Sequence, residues 1–257
     1  MDYSTFQVDF MQILQKNGLN LFCRQEIIEQ FYQFTELFLS ENAKTNLSAI
    51  RAPREIIAKH FADCLLAVDI LPEGATVLDV GCGGGFPCIP FAIVRPDLQI
   101  TAIDSTQKKI DFVKKAAKIL DLKNLMPICG RIEEKKQAYL RERFSVVTSR
   151  AVANLQVLAE LTLPFVKVGG FLLALKGAKG SEEAETARQA IVKLGGLQKA
   201  DLEKTLYCPM VEAEEQGSLA KPTEWIAEAR RLILIEKIQS TPKEYPRAYA
   251  AILKRPL

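Results

Sequence analysis

The stretch Val77-Leu78-Asp79-Val80-Gly81-Cys82-Gly83-Gly84-Gly85-Phe86-Pro87 decides the fold. The segment Thr76–Val80 is β-branched and apolar, the composition of a buried parallel strand. Four glycines within the next five residues belong to neither a strand nor a helix interior. They suit a sharp turn with positive φ, or a place where a ligand approaches the backbone with no Cβ in the way. The next strand, Ile100-Thr-Ala-Ile-Asp104, ends in an acid 23 residues after Gly81. Strand, glycine turn, helix, strand and acid form the layout of a nucleoside-binding βαβ unit, with the acid suited to ribose hydroxyls.

Two familiar loops are excluded. A dinucleotide fingerprint wants glycine at position 86, which is Phe86, and a P-loop wants a lysine, which is missing between Thr76 and Pro96. The pattern present is acid-x-Gly-x-Gly-x-Gly, through Asp79, Gly81, Gly83 and Gly85. It resembles the first motif of the Rossmann-like S-adenosylmethionine (SAM) methyltransferases. In that setting Asp79 either steadies the loop or receives the methionine ammonium. A β-branched side chain at Gly83 is expected to occupy the cofactor's approach. The plainer alternative is a glycine turn that binds nothing.

Length and composition bound the rest. A chain of 257 residues buries a large core, and 48% hydrophobic with 25% charged residues is ordinary soluble composition. No apolar run approaches the roughly 20 residues of a membrane helix. The first residues lack a basic and an apolar secretory region, so a cytoplasmic protein is expected. Six scattered cysteines without a C-x-x-C pair, and one histidine, suit reduced thiols and no metal. Net charge is +3, and the last 18 residues carry all of it through Lys243, Arg247, Lys254 and Arg255 against Glu244. With Tyr245 and Tyr249 interleaved, this tail suits phosphate contact and base stacking, or else is an ordinary solvated tail.

Helical spacing of Phe6, Phe10, Ile13 and Leu14, and of Ile27, Phe31, Phe34 and Phe38, predicts core-facing helices before a polar break at 40–48. A further helix is expected over 54–70. After Asp104 an amphipathic helix over 106–120 turns Lys108, Lys109, Lys114, Lys115 and Lys118 outward, as a solvated face. Further strands are expected over Leu125–Cys129, 144–148, after the turn at 168–170, and over 231–237. Ser181 is expected to cap a helix through 194, and 208–229 reads as an irregular excursion.

In such a sheet ligands lie at the carboxyl ends of the strands. That collects the glycine loop, Asp104, Ile132-Glu133 and Ser149-Arg150 around one crevice, with Glu133 serving either the adenine edge or a helix start. Enzymes methylating exocyclic amines usually show Asn/Asp-Pro-Pro-aromatic after the fourth strand, and those methylating pyrimidine carbon use a cysteine. This chain has Ser149-Arg150-Ala151-Val152, and Cys208-Pro209 is the nearest approach to the second device. An acceptor that is already nucleophilic and has no proton to lose, such as guanine N7, needs neither, only positioning and electrostatics.

The chain resembles the bacterial RsmG (GidB) family of small-subunit rRNA guanine-N7 methyltransferases. The stretches that carry this are Asn46-Leu-Ser48, His60-Phe-Ala-Asp63, Asp79-Val-Gly-Cys-Gly-Gly-Gly-Phe-Pro-Cys-Ile-Pro90, Arg95-Pro-Asp-Leu98, Asp104-Ser105, Gly130-Arg-Ile-Glu133, Thr148-Ser-Arg-Ala-Val-Ala153, Leu163-Pro164, Leu175-Lys-Gly177 and Thr241-Pro-Lys-Glu-Tyr-Pro-Arg247. The resemblance implies an α/β, Rossmann-like SAM-dependent methyltransferase fold, a doubly wound and mostly parallel seven-stranded sheet with an N-terminal helical cap. Its divisions would be 1–72 for the cap, 73–239 for the SAM-binding domain and 240–257 for the basic tail. It implies SAM contacts at Gly81, Phe86, Ile132, Glu133 and Arg150, with Asp104 on the ribose and no general base. Arg150 instead faces RNA if its guanidinium reaches guanine O6 or a phosphate.

The implied substrate is a guanine of 16S rRNA near the decoding site, in the rRNA or a small-subunit precursor, met by a monomer. RNA contacts are expected from Lys243, Tyr245, Arg247, Lys254 and Arg255. Ala248-Tyr-Ala-Ala-Ile252 stands where family tails often carry Gly-x-Pro. His60 fits the family pattern, although a helix histidine with its hydrogen bonds met would look the same. A small-molecule methyltransferase, or a non-catalytic SAM- or RNA-binding module, are the rival readings.

Overall fold

A computed structural model describes residues 1–210 and 224–257. Seven strands form one sheet: β1 (Thr76–Val80), β2 (Gln99–Asp104), β3 (Leu125–Cys129), β4 (Phe144–Arg150), β5 (Val166–Gly177), β6 (Gly196–Pro209) and β7 (Trp225–Lys237). Their order is β3-β2-β1-β4-β5-β7-β6. The first five run parallel, while β7 lies antiparallel between β5 and β6. The order in which successive strands are laid down reverses between β1 and β4, the switch point at which such sheets bind ligands. In register, Asp79 stands beside Ala102 on one side and Thr148 on the other. The ends of β1, β2 and β4 therefore open at one level.

Nine α-helical segments accompany the sheet among the described residues: α1 (Tyr3–Lys16), α2 (Gln25–Thr45), α3 (Pro53–Ile56), α4 (Asp63–Leu65), α5 (Cys88–Val94), α6 (Gln107–Ile119), α7 (Leu155–Thr162), α8 (Gly180–Lys193) and α9 (Tyr249–Lys254). Asp2 caps α1 by accepting from the Thr5 N–H, and Asn154 caps α7 by accepting from that of Val157. A π-helical segment, Ile57–Ala62, joins α3 to α4, so the helix expected over 54–70 is a broken one. The expected apolar faces are buried, and the N-terminal helices share their core with the α/β unit. Phe34 meets Phe61, Phe86 and Phe112, with ring centroids 5.7, 5.5 and 6.3 Å apart.

Two local expectations are corrected. Helix α8 starts at Gly180 after an uncapped Lys179, so Ser181 sits inside the first turn rather than capping it. A Cβ at Gly180 would come within 2.7 Å of Arg231 Cβ and 2.8 Å of Lys176 Cβ, so close helix–strand packing sets the start. The excursion read over 208–229 is narrower: Cys208 and Pro209 finish β6, and Trp225 to Ala229 pair as β7. Its middle, 211–223, lies outside the described residues. All six cysteines are free. Among the described residues no helix is long and apolar enough to cross a membrane.

Candidate active site

The glycine loop is held by its own backbone and by two acids. The N–H groups of Gly81 and Cys82 both donate to the Ile103 carbonyl, at 2.8 and 3.2 Å. Gly83 N–H donates to Asp104 Oδ2 at 3.0 Å, and Thr106 N–H donates to Asp104 Oδ1 at 2.9 Å. Asp79 is wholly buried. One of its oxygens accepts from the Cys88 N–H at 3.1 Å, at the start of α5, while Oδ1 has no partner among the described residues. Burial pushes its carboxyl up to about 7. Of the two roles open to Asp79, this geometry supports steadying the loop.

A cavity of about 350 Å3 opens above these strand ends. Gly81, Asp104, Ile132 and Glu133 line it, four of the residues marked in the sequence, together with Lys109 from the expected solvated face and Tyr249 from the tail. Gly81 is at φ +76°, and a Cβ there would come within 2.4 Å of Val152 Cγ2, so only glycine lets Val152 close this wall. Asp79, Gly83, Gly85 and Phe86 shape the loop without lining the cavity. At Gly83, φ +54°, the nearest atom to an added Cβ is the Gly81 carbonyl oxygen at 3.9 Å. A side chain there is disfavoured by backbone strain, and the protein's own atoms leave the space beside it open.

Arg150 and Phe86 belong to a second constellation. The Phe86 ring is stacked on His60, centroids 4.3 Å apart, and the Arg150 guanidinium lies over it at 5.2 Å. Arg150 donates to Asp63 Oδ2, to the Lys59 carbonyl and to His60 Nδ1, each at 2.9 Å. Arginine has no acceptor, so His60 Nδ1 must accept and Nε2 carries the proton, which goes to Ser48 Oγ at 3.0 Å. Burial, with the Arg150 charge beside it, lowers the His60 imidazole to about 3, so it is neutral. His60 is thus a satisfied histidine that orients Arg150. Asp63 Oδ1 accepts from Arg230 at 2.6 Å, making it the bridge between two guanidiniums.

Lys59, His60, Asp63, Arg150 and Arg230 line a second cavity of about 720 Å3 with Lys176 and Glu183, which pair at 2.7 Å. Ala151 and Val152 form the wall common to both cavities, and Ala151 has a left-handed backbone, φ +57°.

The tail is docked rather than solvated. Arg247 makes two bonds to Glu160 at 2.8 and 2.6 Å, and its backbone N–H adds a third at 2.9 Å. Tyr245 is 6% exposed. Of the residues expected to reach RNA, Arg247 is engaged with Glu160 of α7 and Tyr245 is buried. Lys243, Lys254 and Arg255 are exposed.

The family model of rRNA small subunit methyltransferase G (GidB) matches residues 27–205. The chain belongs to that family. The Ribosomal RNA small subunit methyltransferase G of Clostridium perfringens is 39% identical over 232 residues, covering 89% of this chain and 90% of its own. That of Brevibacillus brevis is 39% identical over 252 residues, covering 96% and 98%. Among solved structures, a protein from work on the conversion of a disulfide bond into a thioacetal group during echinomycin biosynthesis has a TM-score of 0.55 at 18% identity, over 80% of this chain and 94% of its own. A mutein of the Thermus thermophilus branched-chain polyamine synthase has 0.53 at 15%, over 81% and 64%. At that identity the likeness is one of fold.

In this GidB-family chain, residues from His60–Asp63, Arg150–Ala153 and Leu175–Gly177 meet around the second cavity. Ser48 orients His60, His60 and Asp63 orient Arg150, and Lys176 pairs with Glu183. Sequence reasoning missed Lys109, Arg131, Val152, Leu161 and Arg230 as lining residues, and marked Tyr249 only as a stacking residue of the tail. Lys109 and Arg131 were in reach, lying one turn past Asp104 and just past β3, whereas Arg230 and Tyr249 arrive from distant segments.

Proposed function

We propose that this protein transfers the methyl group of S-adenosylmethionine to N7 of a guanine in small-subunit (16S) ribosomal RNA near the decoding site, in the cytoplasm. The observation that carries this is the pair of cavities meeting at Ala151 and Val152. The smaller suits the cofactor. Both Asp104 oxygens accept a backbone N–H yet keep a lone pair for ribose hydroxyls, Ile132 and Leu161 offer apolar surface to adenine, and the glycine at 81 lets Val152 close the wall. When bound there, SAM supplies an electrophilic methyl on a sulfonium.

The larger cavity suits the acceptor base. It presents a carboxylate, Glu183, and the cations Lys176 and Arg230, the mixture that the donors and acceptors on guanine's edges require. Guanine N7 has a lone pair and no proton to lose, so no side chain has to act as base. The neutral His60 and the fully engaged Asp63 serve Arg150 instead, fixing a cation beside the wall between cofactor and acceptor. The test is labelled SAM with small subunits or rRNA lacking the methyl group, followed by borohydride–aniline cleavage at the labelled base. Label at one cleavable guanine is expected. No incorporation, or label on a base that resists cleavage, would overturn the proposal.

A further inference from the structure

Tyr249 lies outside residues 27–205, the part of the chain that the family model matches, yet its ring lines the 350 Å3 cavity. It arrives by a chain of fixed contacts. Arg141 donates to the carbonyls of Thr241, Pro242 and Tyr245, and Arg247 is held by the fully buried Glu160 of α7. Helix α9 then follows, with Ile252 wholly buried and Tyr249 three residues earlier on the same face. Past this face Gln156 donates to the Leu257 carbonyl. The inner face of α9 is therefore anchored, while Leu253, Lys254 and Arg255 remain exposed.

The position within the cavity identifies the ligand chemistry. The Arg131 guanidinium lies over the Tyr249 ring, 5.7 Å from its centroid. Arg131 follows β3 directly, beside Gly130 and Ile132 of the same cavity, the end at which a nucleoside places its base when the acid of β2 holds the ribose. A half-buried aromatic ring at that end, with Leu161 beside it and a cation on it, is a stacking surface for a purine.

We propose that Tyr249 is a cofactor-binding residue whose ring closes the cavity against the adenine of the bound cofactor, making the C-terminal segment part of the site. This rests on the SAM reading above. The test is calorimetry on the full chain with SAM and, separately, adenosine. Tyr249→Ala is expected to weaken both by a similar factor, roughly tenfold, and Tyr249→Phe to bind as wild type. Should Tyr249→Ala fail to fold, Tyr249→Leu keeps the apolar packing beside Ile252 and removes only the aromatic face, and the same loss is expected. Wild-type affinity in the Ala or Leu variant, or a loss for SAM with none for adenosine, would overturn the assignment while leaving the cofactor reading intact. Wild-type protein that binds neither ligand would overturn both.

Discussion

Asp104 accepts the Gly83 N–H at 3.0 Å, and through that bond the end of β2 holds the glycine loop that follows β1. Its other oxygen holds Thr106 at the head of α6, so one carboxylate braces two walls of the smaller cavity while facing into it. Asp104→Ala is expected to lower SAM affinity at least tenfold and to cost about 1–3 kcal/mol of stability, the price of two stranded backbone donors. Asp104→Asn, with a single acceptor oxygen, should fall between. Calorimetry and thermal melts measure both quantities. An Ala variant that binds SAM as the wild type does would remove the ribose role.

The buried Asp79 makes a prediction of opposite character, about pH. Its carboxyl keeps its proton up to about 7 in the fold, against an ordinary value of 3.8. Between these limits the unfolded chain has lost that proton and the folded one retains it, so this group makes stability fall as pH rises from about 4 to 7. His60, lowered from 6.5 to about 3, works the other way over much of the same range. Asp79→Asn should therefore leave a protein whose stability climbs more steeply from pH 4 to 7 than the wild type's, by a few kcal/mol across the window. Urea unfolding at a series of pH values reads the difference, and parallel curves would show that Asp79 is ionised in the fold.

Much of this arrangement was legible in the sequence because local rules and tertiary packing agree. Thr76–Val80, the glycines and Asp104 specify a βαβ unit through composition and spacing, and the N-terminal phenylalanines mark their faces through periodicity. Strand β6 was not legible because it is the sheet's edge. Its run Gln198-Lys-Ala-Asp-Leu-Glu-Lys204 lacks the alternation of a half-buried strand, and even Leu202 is 37% exposed. Arg150 was placed at the right strand end, facing either the cofactor or the RNA, and it lines the second cavity. Its neighbours Lys59 and His60 come from the π-helical segment and Asp63 from the start of α4, 87 to 91 residues away, and no spacing rule reveals that meeting. The tail's cations looked alike in the sequence, and only a buried partner, Glu160, separates Arg247 from Lys254.

Asp63 decides whether the second cavity works as a unit. Its side chain is 12% exposed and bridges Arg150 and Arg230, so Asp63→Asn leaves Arg150 without its carboxylate and Arg230 with Glu228 alone. Removing one member of such a buried network costs about 3–5 kcal/mol. Methyl transfer to RNA should fall by two orders of magnitude or more as Arg150 loses its position, while SAM affinity stays within about twofold. Single-turnover kinetics beside calorimetry separate the two. A parallel collapse of SAM affinity would mean that the cavities are not independent and that Arg150 serves the cofactor.

The tail calls for substitutions rather than truncation. Deleting 243–257 would strip Arg247 from the buried Glu160 and remove Tyr249, confounding RNA binding with stability and cofactor binding. Arg247→Ala alone is expected to destabilise the protein by about 3–5 kcal/mol. Exchanging the exposed Lys243, Lys254 and Arg255 for Gln touches none of these contacts. If the three meet phosphates, each releases counterions worth about 0.7 in the slope of log K against log salt for a single strand, so the triple variant should lose up to about 2 in that slope. Its melting temperature and SAM affinity should be those of the wild type. A slope that does not change would assign the tail to docking α9 alone, and the RNA would then have to be held by the cations around the second cavity.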